Sequence, residues 1–321
     1  MPPSRCARHV LPAACVAVLA IIAAACNGGG RGTAPAGPQR ATLVAVGDIA
    51  CGTEPAPVGD ECRYDVVAEV AVAEEPDLFL ALGDVQYATP SGDLDFSFYD
   101  EAFGALRPVT LPTGGDEDWD ADRDAFLGYF GNRTNDDGYD SLVLAGWHIV
   151  VLNSRDCFDD DGCRAGSPQY EWLRERLADP PDDARECTLA IWHDPRFLWA
   201  AWWTKDGVPR VSQERVAPFW ELLDAAGADV VLHGNAHHYE RWEPMNAVGE
   251  STEHGITQFV VGTGGKSLND LGPEPRPANL AIAQDDEFGV LVLELRPGSL
   301  TYRWRGAEPA GFRDTGTIEC H

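Results

Sequence analysis

The sequence predicts a single domain of the layered α/β class, in which strands and helices alternate along the chain. Apolar runs rich in β-branched residues begin at residue 41, and stretches with helical spacing of apolar residues lie between several of them. Two of these runs, residues 41–46 and 77–82, are each followed directly by Gly-Asp. Ligand sites of open α/β sheets lie at the carboxyl edge of the strands, so these two carboxylates are expected to meet there.

The remaining elements follow in order along the chain. After the first strand, residues 60–74 carry valines at helical spacing, and the strand at 77–82 comes next. Helices are expected at residues 167–178, with Pro168 in the first turn, and at 212–226, with Ser212 as the cap and Gly227 as the stop. Further strands are expected at residues 109–111, 141–145, 148–152, 188–192, 229–232, 258–261, 289–295 and 300–304.

Length and charge bound the class of function. A chain of 321 residues with 44% apolar residues is long enough to bury a large core. Its 52 acidic residues outnumber its 24 basic ones, which gives a formal net charge of -28. Such a surface repels phosphate backbones, so nucleic acid is not an expected partner.

The first 26 residues have the features of an export signal peptide rather than of a folded domain. Arg5 and Arg8 precede an apolar stretch at residues 10–25, and Cys26 follows three alanines. Residues 27–40 are the expected flexible linker, and residues 41–321 the expected globular domain. Cys26 resembles the lipid-attachment site of a bacterial lipoprotein; plain cleavage with secretion, and an uncleaved membrane anchor, are the alternatives. Each alternative places the domain outside the cytoplasm, secreted or held at the cell surface, with membrane contact expected only at Cys26.

The cysteine count agrees with an oxidising compartment, because six cysteines lie outside the export signal and six is an even number. Two local pairs each close a short polar loop, which leaves a third pair of distant cysteines. A thiolate metal site is the alternative, although no CxxC spacing supports it. The expected disulfides are Cys51–Cys62, Cys157–Cys163 and Cys187–Cys320.

Two insertions interrupt the pattern of strands and helices. The first, residues 116–137, is acidic and is expected to be a solvated loop. The alternative is calcium binding by Asp118, Asp120, Asp122 or Asp124. The second insertion contains three tryptophans that are expected to pack locally, with a wall or lid over the functional site as the alternative. They are Trp199, Trp202 and Trp203.

Five short motifs follow expected strands. They are GDIA (residues 47–50), GDVQY (83–87), GGDED (114–118), WHDP (192–195) and GNAHHYER (234–241). Asp, Tyr, His and Asn side chains at the ends of neighbouring strands can converge on metal ions, because such cations prefer mixed oxygen and nitrogen ligands. Helix capping by the two Gly-Asp aspartates is the alternative.

The five motifs resemble those of the metallophosphoesterase (calcineurin-like) superfamily, and Tyr87 points to its purple acid phosphatase-like branch. The resemblance covers residues 42–267 and includes SPQYEWLRERL (167–177) and VVGTGGKS (260–267). It implies that residues 41–321 form a metallophosphoesterase domain, a layered β-sandwich flanked by helices that holds two divalent or trivalent metal ions.

The resemblance also implies a complete first metal site. Its ligands would be Asp48, Asp84, Tyr87 and His237, with Asp84 bridging to the second ion. Phenolate and carboxylate oxygens suit a hard trivalent ion, so iron is expected there.

The second metal site departs from the family's pattern. Asp116 stands where the family has an Asn ligand, and Asn235 where it has a His ligand. Glu117 replaces the His that the family uses to protonate the leaving group, whereas His193 is present. A second ion held by Asp84, Asp116, His193 and Asn235 would have more oxygen ligands, which favours manganese or magnesium over zinc.

The function implied is an exported, acid phosphatase-like hydrolase in which a metal-bridging hydroxide attacks a phosphomonoester of a small molecule. A phosphodiesterase or nucleotidase is a variant of it, and no oligomeric state is predicted. Glu117, Asp194 or water would protonate the leaving group, and His238 would reach phosphate or solvent. His233 would either face the site or pack in the core. The alternative function is a degenerate, non-catalytic metal-binding extracellular module, for which the three altered positions argue.

Overall fold

The computed structural model describes residues 38–321, except residues 57, 132, 134, 159–161, 182–186, 206–207, 210 and 309–310. The export signal expected at residues 1–26 and most of the linker expected at 27–40 lie outside the described residues. Within the described part of the chain, no helix is both long enough and apolar enough to cross a membrane.

Strands outnumber helices in the described residues. The strands are β1 (Ala41–Val46), β2 (Leu78–Ala81), β3 (Thr110–Pro112), β4 (Asp140–Leu144), β5 (Trp147–Val151), β6 (Cys187–Ile191), β7 (Thr204–Lys205), β8 (Val208–Pro209), β9 (Val230–His233), β10 (Tyr239–Trp242), β11 (Thr257–Val261), β12 (Leu280–Gln284), β13 (Gly289–Arg296), β14 (Ser299–Gly306) and β15 (Thr315–Glu319). The helices are α1 (Tyr64–Ala73), α2 (Ser97–Phe103), α3 (Trp119–Phe130), α4 (Pro168–Ala178) and α5 (Ala217–Ala225).

These strands form two mixed sheets and a separate β7–β8 hairpin. The first sheet has the order β15-β14-β13-β1-β2-β3, and the second has the order β12-β10-β11-β9-β6-β5-β4. Strands β1, β2 and β3 are parallel to one another, and so are β5, β6, β9 and β11. The carboxyl ends of the parallel strands therefore lie at one edge of each sheet.

Alternating side chains along the central strands divide the core into two layers. In β6, Leu189 and Ile191 join the large apolar cluster between the sheets. Ala190 and the adjoining Trp192 join a second cluster that includes side chains of α4 and α5. The predicted sandwich flanked by helices is therefore confirmed.

The ten predicted strands are all observed, with bounds that differ by no more than two residues. The helix predicted at 167–178 is α4, and the side chain of Ser167 caps it by accepting from the Tyr170 N–H. The helix predicted at 212–226 is wrong at its start, because a 3-10 turn at Glu214–Val216 precedes α5. Ser212 Oγ donates to Glu214 at 2.8 Å instead of capping the helix.

The acidic insertion is structured, so the prediction of a solvated loop is wrong. It contains α3, which buries Trp119, Phe126 and Phe130. Asp118 is buried, and its carboxylate accepts hydrogen bonds from the backbone of Val85, Gly115 and Trp119. Among the described residues, its aspartates do not form a group close enough to share an ion, so the calcium alternative is not supported.

The three predicted disulfides are confirmed, which excludes a thiolate metal site for these six cysteines. Cys187–Cys320 joins residues that are 133 positions apart. Because Cys187 begins β6 and Cys320 follows β15, this bond links the two sheets.

Candidate metal centre

The loops that follow β1, β2 and β9 carry the predicted ligands in an unusual backbone conformation. Asp48, Asp84, Asn235 and His237 all have positive φ angles, of 59°, 48°, 71° and 54°. Residues other than glycine rarely adopt this left-handed conformation, and those that do often cluster at functional sites. Backbone hydrogen bonds from Asp48 N–H to Gly83 O and from Lys266 N–H to Asp48 O hold the first of these turns.

The four predicted ligands of the first site lie together. The Tyr87 hydroxyl is 3.1 Å from Asp84 Oδ2, 3.4 Å from Asp48 Oδ1 and 2.9 Å from His237 Nε2. His237 Nε2 is also 3.2 Å from Asp48 Oδ1. On the other side of its ring, His237 Nδ1 is 2.7 Å from Ser267 Oγ. A hydrogen bond at Nδ1 fixes the ring, so that Nε2 is the atom presented to the carboxylates.

A second cluster shares Asp84 with the first. His193 Nε2 lies 3.4 Å from Asp84 Oδ2 and 3.4 Å from Asp116 Oδ1. His193 Nδ1 donates to the Leu82 carbonyl at 2.8 Å, so Nε2 is the ring nitrogen directed at the two carboxylates. This Nε2 is buried and has no hydrogen-bond partner among the described residues. Asp48, Asp84 and His193 also form a buried group whose ligand atoms are close enough to hold one ion.

Two glycines make room for these side chains. A Cβ on Gly115 would lie 2.0 Å from Asp84 Oδ1, and a Cβ on Gly83 would lie 2.4 Å from His193 Nδ1. Gly83 also has a φ of +84°. Only glycine fits at such close approach to a buried side chain.

The electrostatics of the cluster favour a cation. Burial, together with the charges of Asp116 and Asp48, raises the pKa of Asp84 despite the opposing effect of His193. Burial and the charges of Asp84 and Asp48 raise the pKa of Tyr87 well above its ordinary value. Burial alone would lower the pKa of His193, but the negative charges of Asp84 and Asp116 outweigh it and raise the pKa well above its ordinary value. Negative charge is thus concentrated in a buried place, which is where proteins hold metal ions.

The residues present therefore fit a metal centre. An orphaned imidazole nitrogen, a phenol and three carboxylates at hydrogen-bond separations supply the oxygen and nitrogen ligands that such ions require.

Three other predicted residues lie at the rim of the centre. Asn235 donates from its backbone N–H to Asp48 Oδ2 at 2.7 Å and from Nδ2 to Asp194 Oδ1 at 3.0 Å. Asp194 is buried, pairs with Arg155 and accepts the hydrogen bond from Asn235 Nδ2. The Glu117 backbone N–H donates to Asp84 Oδ1 at 2.9 Å, while its side chain is exposed. Partial desolvation and the charges of Asp84 and Asp116 raise the pKa of Glu117.

The prediction for His238 is wrong, because it reaches neither phosphate nor solvent. The residue is fully buried, its Nε2 is 2.9 Å from Glu240 Oε1, and its Nδ1 is 3.3 Å from the Asn269 carbonyl. His233 is packed in the core, where burial lowers its pKa to about 3. Its ring lies 4.3 Å from that of Trp192.

The tryptophans of the second insertion differ in how far they are exposed. Trp199 packs as expected, since it is 9% exposed and donates from Nε1 to the Pro273 carbonyl at 3.2 Å. Trp202 is 44% exposed.

Sequence reasoning missed Ser267, Lys266 and Arg155. Ser267 fixes His237, and Lys266 places its ammonium 5.1 Å from the centre of the Tyr87 ring. Lys266 and Ser267 lie in the motif VVGTGGKS, so their place beside the first site was accessible from the sequence. Arg155 lies in a polar loop with no motif that would have singled it out.

The two mixed sheets, with these side chains at their carboxyl edge, define the calcineurin-like metallophosphoesterase fold, which implies a centre with two metals. No protein-family model matches the chain. The chain is 28% identical to purple acid phosphatase 18 of Arabidopsis thaliana over 164 residues, which are 50% of this chain and 35% of that protein. It is 27% identical to purple acid phosphatase 15 of the same plant over 248 residues, which are 64% of this chain and 44% of that protein.

Among solved structures, the purple acid phosphatase PPD1 from seeds of yellow lupin (Lupinus luteus) superposes with a TM-score of 0.68 at 16% identity. The superposition covers 89% of this chain and 55% of the lupin protein. These comparisons show that the chain has the calcineurin-like metallophosphoesterase fold and that its sequence is similar to those of purple acid phosphatases. The matched region spans less than half the length of the two Arabidopsis relatives.

Proposed function

We propose that the chain is an exported, metal-dependent phosphoesterase that hydrolyses phosphomonoesters of small molecules at this centre. The observation that carries the proposal is the buried His193 Nε2, which has no hydrogen-bond partner in the described protein and lies 3.4 Å from two carboxylates. An unpaired buried nitrogen costs free energy unless a ligand uses it.

In this proposal Asp48, Asp84, Tyr87 and His237 hold one ion, expected to be iron, and Asp84, Asp116, His193 and Asn235 hold the second. Manganese, magnesium or zinc is expected at the second site, and its oxygen-rich ligands favour the first two. When bound, the ions would lower the pKa of water at the site and neutralise the charge on phosphate oxygens.

The protein's own residues orient and protonate the substrate. Glu117 follows Asp116 directly, and its exposed side chain makes it the proposed proton donor to the leaving group. Lys266 carries positive charge beside Tyr87, where it would attract an anionic ester. Because its pKa is raised, Glu117 keeps its proton to a higher pH than an ordinary carboxyl, so activity is expected on the acid side of neutrality.

Export is part of the proposal. The sequence features of residues 1–26, with secretion or a lipid at Cys26, and the three disulfides support a place outside the cytoplasm.

Elemental analysis and phosphate release, measured on the same preparation, test the proposed function. Wild type is expected to contain two metals, to absorb visible light through tyrosinate bound to ferric iron, and to hydrolyse a chromogenic phosphomonoester. Asp84→Ala is expected to lose at least about a hundredfold in rate. Asp122→Asn, an exposed carboxylate of α3, is the control and should retain wild-type activity.

Three residues at the second site differ from the family's pattern and favour a second candidate, a non-catalytic module that keeps one metal and binds a ligand outside the cell. They are Asp116, Glu117 and Asn235. One metal per chain with no hydrolysis of any phosphate ester would support this candidate over the enzyme. The convergence of Asp116 with His193 argues for the enzyme, because Asp116 still offers a ligand atom to the second site.

A further inference from the structure

Asn235 is held in one orientation at the rim of the second metal site. Its Nδ2 donates to Asp194 Oδ1 at 3.0 Å, and its backbone N–H donates to Asp48 Oδ2 at 2.7 Å. A side-chain amide has one nitrogen and one oxygen, so this bond leaves Oδ1 as the atom that can ligate a cation. The opposite orientation would set Oδ1 against the carboxylate oxygen of Asp194, which is repulsive.

Asp194 is itself fixed by groups on a different loop. Its carboxylate accepts from Ser154 Oγ at 2.6 Å, and an Arg155 terminal nitrogen lies 3.0 Å from both of its oxygens. The side chains of Asp194 and Arg155 are only 5% and 11% exposed, so water screens this pair weakly. A carboxylate committed to these donors is an acceptor that orients its neighbours, and it is not a free acid for the leaving group.

Arg155 also balances the charge of the substituted ligand. Its guanidinium lies 3.7 Å from Asp116 Oδ1 and 2.8 Å from Asp120 Oδ2. Arg155 therefore offsets the negative charge that Asp116 has and the family's Asn lacks.

We propose that Asp194 and Arg155 are positioning residues, which let Asp116 and Asn235 form an oxygen-rich second metal site. The inference rests on the proposed function for the presence of a second ion. The observation that carries the proposed function also points to that ion, since His193 Nε2 is buried, has no hydrogen-bond partner in the described residues and lies 3.4 Å from both Asp84 and Asp116. Groups that orient metal ligands in this way are commonly needed for metal affinity.

Calorimetric titration of the full chain with Mn²⁺, with metal content checked by elemental analysis, tests the proposal. Wild type is expected to bind two equivalents. Asp194→Ala should weaken the second equivalent by about 10- to 100-fold and leave the first within about threefold of wild type. Asp120→Asn is the matched control, because Asp120 also pairs with Arg155 and its removal changes the charge equally, but Asp120 has no contact with Asn235. It should retain both equivalents.

A double-mutant cycle separates positioning from a general loss of structure. If Asp194 acts through Asn235, the double variant Asp194→Ala with Asn235→Ala binds the second equivalent no more weakly than Asn235→Ala alone. Should Asp194→Ala fail to fold, Asp194→Asn keeps the volume and is expected to lose about tenfold, because Arg155 no longer holds a neutral amide.

Losses that multiply in the double variant, or unchanged second-equivalent affinity in both Asp194 variants, would overturn the proposal. A wild type that binds a single equivalent would overturn it as well. A wild type that binds two equivalents, responds to Asp194→Ala as expected and releases no phosphate would support this inference while refuting the proposed function.

Discussion

His148, in β5, is expected to make the protein less stable in acid. The residue is fully buried, and neither ring nitrogen has a hydrogen-bond partner among the described residues. Burial, aided by the charge of Arg176, lowers the pKa of His148 from its ordinary value of 6.5 to about 4. Between pH 6.5 and about pH 4, His148 therefore binds a proton in the unfolded chain but stays neutral in the folded chain. The stability contributed by the neutral ring is present above pH 6.5 and is lost as the pH falls toward 4.

The magnitude follows from the separation of the two pKa values. At pH 4.5 the unfolded imidazole is almost wholly protonated, whereas the folded one is mostly neutral. Linkage then gives a loss of about 2 kcal/mol in the free energy of unfolding relative to pH 7.5. His148→Leu has a similar volume and no titrating group, so it should remove this loss.

Urea unfolding at pH 7.5 and pH 4.5 gives the fall in the free energy of unfolding for wild type and for His148→Leu. The effect of His148 is the difference between these two falls. Metal loss in acid affects both proteins alike and cancels. His254→Leu replaces an exposed histidine and is expected to keep the wild-type pH dependence. An equal fall in stability for wild type and His148→Leu would refute the reasoning.

Three further predictions concern the centre and its frame. Gly83→Ala should lose about a hundredfold in activity, because its Cβ would lie 2.4 Å from His193 Nδ1 and displace the ring; wild-type activity in this variant would contradict the prediction. Lys266→Met should raise KM for a phosphomonoester about tenfold with kcat unchanged, since it removes positive charge beside Tyr87; Lys266→Arg should keep KM near the wild-type value. Loss of Cys187–Cys320, which closes a loop of 133 residues, should lower the free energy of unfolding by about 4 kcal/mol in urea denaturation; a midpoint within error of wild type would exclude that role.

The strands that hold the centre were predictable because their apolar runs are continuous and end abruptly. Residues 41–46 and 77–82 are examples, and the Gly-Asp pairs that follow them mark the functional edge of the sheet. Strand β10 was missed because it lies within a motif assigned to metal binding. Strand β15 was missed because TGTIE has only one large apolar residue, Ile318.

The contacts around the centre were less predictable, because they depend on loops that meet only in three dimensions. The acidic sequence of α3 predicts a solvated loop, yet three aromatic residues on one face of the segment are buried and stabilise it as a helix. His238 was expected at the site because it adjoins His237, but the backbone is left-handed at His237 and the His238 ring lies against Glu240 instead.

The disulfide between Cys187 and Cys320 links the two sheets covalently at the end opposite the candidate centre. Cys187 opens β6 and His193 follows the close of the same strand, so one strand carries a covalent tie at its start and a ligand at its finish. When bound, the ions would link the aspartates that follow strands of the first sheet to the histidines that follow strands of the second sheet. Chelation would remove the link at the metal centre and leave the disulfide. Chelation together with reduction would remove both links and leave apolar packing and polar contacts such as the Arg241–Asp314 ion pair.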